Sequence, residues 1–256
     1  MRVTIKSLAC LKLTVLATAL MTSTASHSEQ ITLKPLSFQS DIGWIGYQLP
    51  NVEIKNQTEA NHPIWQSLTV PLIKQISFNV ARLLYDKVES APQLPSLGII
   101  LSEFEGVAFK EGDFNGATIK ISRGYLAKFE KSHHQAALVD EIVGILYHEI
   151  AHAYQLDDHN YAEIGPVIEG IADVVRMQAG YIDVSHRKAG GHYDAGYKTT
   201  AFYFDWLIKQ HPHISLPVIN EQLNPHDNIK WSWQTFADSN KLILNSSWQQ
   251  YQQHIL

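Results

Sequence analysis

Sulfur is nearly missing from this chain: of 256 residues, one is cysteine (Cys10) and three are methionine. A lone cysteine excludes an internal disulfide, and its position near the N-terminus leaves the body of the chain without thiolate chemistry. Long apolar runs are scarce too. The stretch from Leu11 to Met21 is interrupted by Lys12 and falls short of the ~20 residues a membrane span requires, and no later segment is long enough. Basic residues are few and scattered, 20 Lys and Arg against 25 Asp and Glu, so no basic stripe is available for nucleic acid. Internal repeats and low-complexity tracts are absent. What remains is 45% hydrophobic, enough for a packed globular core.

The N-terminus carries Arg2 and Lys6, then the short apolar stretch, then Ser23-Thr24-Ala25. A basic start, a short apolar middle and small residues at a cut describe a secretory signal peptide over residues 1–25. A lipoprotein reading of Ser7-Leu8-Ala9-Cys10 fails, because no apolar region precedes the cysteine. The expectation is a secreted or periplasmic chain with no stable membrane insertion. Its about 230 mature residues suit an N-terminal extension over 26–59 and one domain over 60–256.

Histidine, by contrast, is plentiful at 13 residues, and two of them form the motif His148-Glu149-Ile150-Ala151-His152. Residues four apart on a helix share a face, so both imidazoles can reach one metal ion while Glu149 reaches a water beside it. Chance alone would place H-E-x-x-H in such a chain roughly 3% of the time, so its surroundings decide. Those surroundings are helical: Leu138, Ile142, Ile145 and Leu146 lie at one-face spacing, uninterrupted by proline. A metal-binding helix that is apolar almost all round is a buried one. The competing reading, a core helix with two satisfied histidines, requires a buried glutamate without a partner, which is costly.

A third ligand has three candidates. Glu169 lies in Glu169-Gly170-Ile171-Ala172-Asp173, on a helix read over Pro166 to Ala179 with Pro166 in its first turn. Packed antiparallel on the first helix, it brings Glu169 toward the histidines, and Asp173 one turn later can hold a ligand histidine in its metal-binding tautomer. Asp158 stands six residues beyond His152, where another metalloprotease class places its ligand; that class needs a glycine where this chain has Gln155. His159 sits in a polar run that reads as a surface loop. Glu169 is preferred.

Elsewhere, Pro71 to Asp86 reads as a helix, with Leu72, Ile76, Val80 and Leu83 on one side. Gly98 to Glu103, Val107 to Lys110 and Ala117 to Ser122 read as short strands, and a further strand is expected near Ile42 to Gln48. Either Val107–Lys110 or Ala117–Ser122 could be an edge that pairs with an extended peptide.

Three blocks carry a family resemblance. Asp140 through Gln155, Val167 through Arg176 with Ala179-Gly180-Tyr181, and Tyr193 through Asp205 together resemble the basic secretory protein family, zinc peptidases of plants and microbes. The strand pair from Glu105 to Ser122 and the ending Trp248-Gln249-Gln250-Tyr251 are similar to that family as well, so the resemblance spans roughly residues 60 to 254. It implies an α+β, zincin-like metalloprotease fold of the gluzincin kind, with a small mixed sheet preceding the active-site helix and further helices. Many members are basic, whereas this chain carries a net charge of −5.

The function expected is zinc-dependent hydrolysis of peptide bonds, with His148, His152 and Glu169 holding Zn²⁺, Glu149 as general base and Asp173 behind His148. The developing oxyanion needs a further donor, for which Tyr197 is the first candidate, then His192 and Tyr154. Two other readings stand beside it: a non-proteolytic binding protein on the same scaffold, and a metal-dependent hydrolase of glycan amides or esters. A peptide or protein is the expected partner.

Overall fold

The computed structural model describes residues 30–38, 42–60 and 62–256. The signal peptide expected over 1–25 lies outside the described residues. Four strands form one mixed sheet in the order β1-β2-β4-β3: β1 (Asn51–Asn56), β2 (Ser96–Ser102), β3 (Ala108–Asp113) and β4 (Gly116–Ser122). β1, β2 and β4 run parallel, and β3 returns antiparallel to β4 as an edge strand. The chain therefore chooses between the two candidate edges: Ala117–Ser122 is internal, and β3 is the edge. Around Ile42 to Gln48 there is no strand but a short 3₁₀ turn over Ile42–Trp44; the strand comes later, as β1. That strand falls within 26–59 and hydrogen-bonds into the sheet, and Ile31, Trp44 and Tyr47 from the same stretch are buried in the core.

Alternation explains the sheet's apolar face. In β2, Leu97, Ile99 and Leu101 are buried, and the register sets them opposite Ala117, Ile119 and Ile121 of β4. Two helices lie against this layer, α1 (Val70–Leu84) on β1 and α3 (Gln135–Tyr154) on β3 and β4, and they also pack on each other. α1 starts one residue before its proline, with the Thr69 hydroxyl accepting from Leu72 N at its N-cap. α2 (Arg123–Glu130) links the sheet to α3. Because α3 is covered on nearly all sides, its interior polar groups need partners. Tyr147 finds one in Asn79 of α1, which donates to its hydroxyl at 2.7 Å.

α4 (Tyr161–Gln178) begins five residues before the start read at Pro166 and carries that proline inside the helix. A proline there loses one backbone bond and crowds the preceding turn. Its neighbourhood uses the space: a Cβ at Gly196 would sit 3.2 Å from Pro166 Cα, so glycine lets the next helix approach closely. That helix, α5 (Tyr197–Gln210), packs along α4. α6 (Leu216–Glu221), α7 (Trp233–Ser239) and α8 (Leu244–His254) complete the chain, with Tyr203, Trp206, Trp233, Trp248 and Tyr251 in mutual aromatic contact around α5. No helix among the described residues is long and apolar enough to cross a membrane.

α3 and α4 run antiparallel. Partners read down one helix and up the other: Gln155 bonds Ile168 O, His148 meets Asp173, and Glu141 meets Arg176. The reversal is made at Asp158 and His159, both in the left-handed region at φ 51° and 49°. Buried Asn220 fixes its start, donating to Leu84 O at the end of α1 and accepting from Leu156 N just after α3.

Candidate metal centre

α3 supplies His148, Glu149 and His152 from its last two turns, and antiparallel α4 brings Glu169 and Asp173 opposite them. His148 Nε2 lies 3.1 Å from His152 Nε2 and 3.1 Å from Glu169 Oε2, and His152 Nε2 lies 3.5 Å from the same oxygen. Donors bound to one four-coordinate ion at ~2.0–2.1 Å stand about 3.3 Å apart, so these three fit a single metal ion. Among the described residues they form the one such group. Asp173 Oδ1 sits 2.8 Å from His148 Nδ1, which fixes a ring proton on Nδ1 and turns Nε2 toward the other donors.

The remaining candidates fall elsewhere. Asp158 Oδ2 accepts from Trp231 N at 2.9 Å and is engaged in holding the loop. His159 is exposed beside His226. Tyr154 is fully buried and lies outside the cleft lining, and its carbonyl accepts from the Tyr85 hydroxyl. His192 pairs with Asp194 in the loop before α5, also outside the lining. Tyr197 is different. It is 58% exposed, borders the cleft, and its ring lies parallel to that of His148 at 6.3 Å. Its backbone stands at φ 43°, strained for an aromatic residue, a cost of ~1–2 kcal/mol that tends to be tolerated where a side chain must be presented.

These residues line a cleft of about 940 Å³. One wall is the edge strand and its approach, Val107 to Lys110; the other includes Ala195 to Thr199. Glu149 is buried, and that burial lifts its carboxyl from an ordinary 4.5 to about 7, against the favourable pull of His148 and Lys110. Burial also works against a charge on His148, yet its bonds to Asp173 and Glu169 outweigh it and raise the ring to about 9. His152 goes the other way, lowered by its burial. Burial opposes ionisation of Glu169, but hydrogen bonds from His148, His152 and Tyr161 hold it well below the usual carboxylate range.

Two cleft residues escaped the sequence reading. Tyr161 donates its hydroxyl to Glu169 Oε1 at 2.6 Å. A helix that starts at Pro166 leaves Tyr161 in a loop, which hides it from the sequence. Gln155, which the sequence marks as a non-glycine and as the end of a family block without giving it a role, lines the cleft and ties α3 to α4. Their spacing from the ligands, eight residues before Glu169 and three after His152, is the only signal the sequence offered.

Sheet, paired helices and converging donors define the class: an α+β protein with a two-histidine, one-carboxylate cluster capable of holding a metal in an open cleft. A family model described as "BSP: Peptidase of plants and bacteria" matches residues 60–241, and the chain belongs to that family, the basic secretory proteins. No curated protein and no solved structure matches it.

Proposed function

We propose that this protein is an exported zinc peptidase whose domain over 60–256 has its sheet completed by β1 from the stretch before it. One observation carries the reading: three donors spaced for one ion stand beside a buried glutamate, in a cleft walled by an edge strand. The donor set, two imidazoles and a carboxylate, suits zinc, which when bound supplies a polarised scissile carbonyl and an acidified water. The zincin-like fold implied by the family resemblance agrees with a metal-binding helix packed beneath the edge strand.

The chain's own residues then do the rest. An extended peptide pairs with the free edge of β3, which sets its scissile carbonyl over His148 and His152. Glu149, buried beside the two histidines, takes a proton from the attacking water as the carbon–oxygen bond forms. The Tyr197 hydroxyl donates to the carbonyl oxygen as its charge grows. Glu149 passes the proton to the amide nitrogen, the carbon–nitrogen bond breaks, and the amine leaves. Asp173 keeps His148 in one tautomer throughout.

Elemental mass spectrometry of protein spanning residues 26–256, followed by casein digestion with wild type and Glu149→Gln, tests this. The expected result is one zinc per chain in both and at least a hundredfold loss of cleavage in the variant. Absence of metal after zinc is supplied would leave a non-proteolytic scaffold. Cleavage of acylated sugars but not casein would move the enzyme to glycan amides or esters.

A further inference from the structure

Two of the three metal-capable side chains have a partner behind them: Asp173 holds His148 Nδ1, and the Tyr161 hydroxyl holds Glu169 Oε1. His152 has none, since its Nδ1 is buried without a hydrogen-bond partner. Once Nε2, which faces His148 and Glu169, serves as a metal ligand, the ring proton must sit on Nδ1, where a buried donor without an acceptor costs about 1–3 kcal/mol.

Among the described residues that line the cleft, three have a buried side-chain polar atom without a partner: His152 Nδ1, Arg176 Nε and Gln155 Oε1. Arg176 Nε is a donor, packed where a Cβ on Gly144 would meet it. Gln155 Oε1 is the acceptor. It stands three residues after His152, a spacing that places side chains on one helical face, and it caps the same helix. Its amide nitrogen is already engaged, donating to Ile168 O at 3.2 Å, immediately before Glu169. A carboxamide carries a donor at one end and an acceptor at the other, as a tie between these two ligands requires.

We propose that Gln155 is the positioning residue for His152: in the metal-loaded protein its carbonyl oxygen accepts the Nδ1 proton, directly or through one water, while its amide nitrogen keeps Glu169's helix in place. This rests on the metal-centre reading above. It assigns Gln155 no contact with substrate.

The two ends of the amide can be tested separately. Gln155→Met keeps the size and removes both ends; Gln155→Glu keeps the acceptor for His152 and loses the donor to Ile168 O. Zinc affinity is read by competition with a fluorescent chelator, and the metal-free melting temperature reports the fold. Gln155→Met is expected to bind zinc about 10- to 100-fold more weakly, with Gln155→Glu within about threefold of wild type. Unchanged affinity in Gln155→Met, or equal weakening in both variants, overturns the proposal, the latter because it would trace the effect to the Ile168 bond. If Gln155→Met does not fold, Gln155→Glu decides alone: retained affinity supports the acceptor role and lost affinity refutes it. Wild type that binds no zinc overturns the metal-centre reading and this one with it, whereas zinc-binding wild type with an indifferent Gln155→Met overturns only this.

Discussion

The Tyr161 hydroxyl donates to Glu169 Oε1 at 2.6 Å, while the other oxygen of that carboxylate faces both histidines. One carboxylate is thereby divided between a phenol and a metal position, and Tyr161 keeps it from turning. Burial and the bond to Glu169 raise the Tyr161 hydroxyl's pKa, so it stays a donor across the working range. The two cleft tyrosines should then separate. Tyr161→Phe is expected to weaken zinc affinity severalfold, whereas Tyr197→Phe should leave affinity alone and lower kcat on casein about 100-fold. Chelator competition beside steady-state kinetics would show it, and a Tyr197→Phe enzyme with wild-type kcat would remove Tyr197 from the chemistry.

Asp173→Ala is expected to weaken zinc binding about 10- to 100-fold with the fold intact, because His148 loses the acceptor that sets its tautomer. Circular dichroism and chelator competition on the same sample check both halves. Unchanged affinity would mean that the 2.8 Å contact does not govern ligation.

Removing the metal should destabilise the fold. An ion that binds the folded chain alone adds RT ln(1 + [L]/Kd), about 2.7 kcal/mol at a hundredfold excess over Kd. The melting temperature is expected to fall with a strong chelator, return with zinc, and climb with free zinc concentration. A melting temperature indifferent to both treatments would count against a folded-state site.

Gly170→Ala tests how α4 and α5 meet. An added Cβ would come within 2.5 Å of Thr200 Cγ2, and Thr200 cannot turn away. Its hydroxyl accepts from Gly196 N at 2.8 Å and donates to Tyr193 O at 2.7 Å, holding the turn that presents Tyr197. The expected loss is about 1–3 kcal/mol by urea unfolding, with reduced activity because Tyr197 shifts. A neutral result would show that the two helices part without cost.

His62 gives the fold a measurable acid sensitivity. It is buried at 4% exposure, accepts from Ile64 N through Nδ1, and burial lowers its pKa despite Glu130 at 3.4 Å. The unfolded chain therefore binds this proton first, so the contribution is complete above the ordinary 6.5 and is lost as pH falls below it. Between pH 7.5 and 5.5 the melting temperature of metal-free wild type should drop more than that of His62→Asn, which retains a capping acceptor. Parallel drops in the two proteins would assign the acid sensitivity to other groups.

Much of the site was legible in the chain because it is local. The range of α1 follows from apolar spacing, and strands β2 to β4 from short apolar runs between turn residues; each lies within a few residues of its observed ends, and the same spacing marks α3 as helical. The less legible parts depend on contacts between distant segments. β1 is less legible because Val52 and Ile54 alternate with polar residues over only five positions, and pairing with β2 is what holds Asn51–Asn56 in the sheet. α4 starts early because the loop before it turns through Asp158 and His159 in a conformation that glycine would have announced and these residues do not.

The sequence by itself determined that His148, Glu149 and His152 share the end of one buried helix, and that Glu169 and Asp173 repeat the spacing on a second. Helix geometry imposes those relations whatever else the chain does. Tertiary structure alone decided the register in which the antiparallel helices close the three donors to within 3.5 Å, that β3 rather than β4 walls the cleft, that Tyr161 stands behind Glu169, and that Gln155 ties α3 to α4. Those outcomes turn on the bonds that tie α3 to α4, on Asn220 holding the loop between them and on the pairing of β3 with β4, contacts that helix and strand periodicity do not encode.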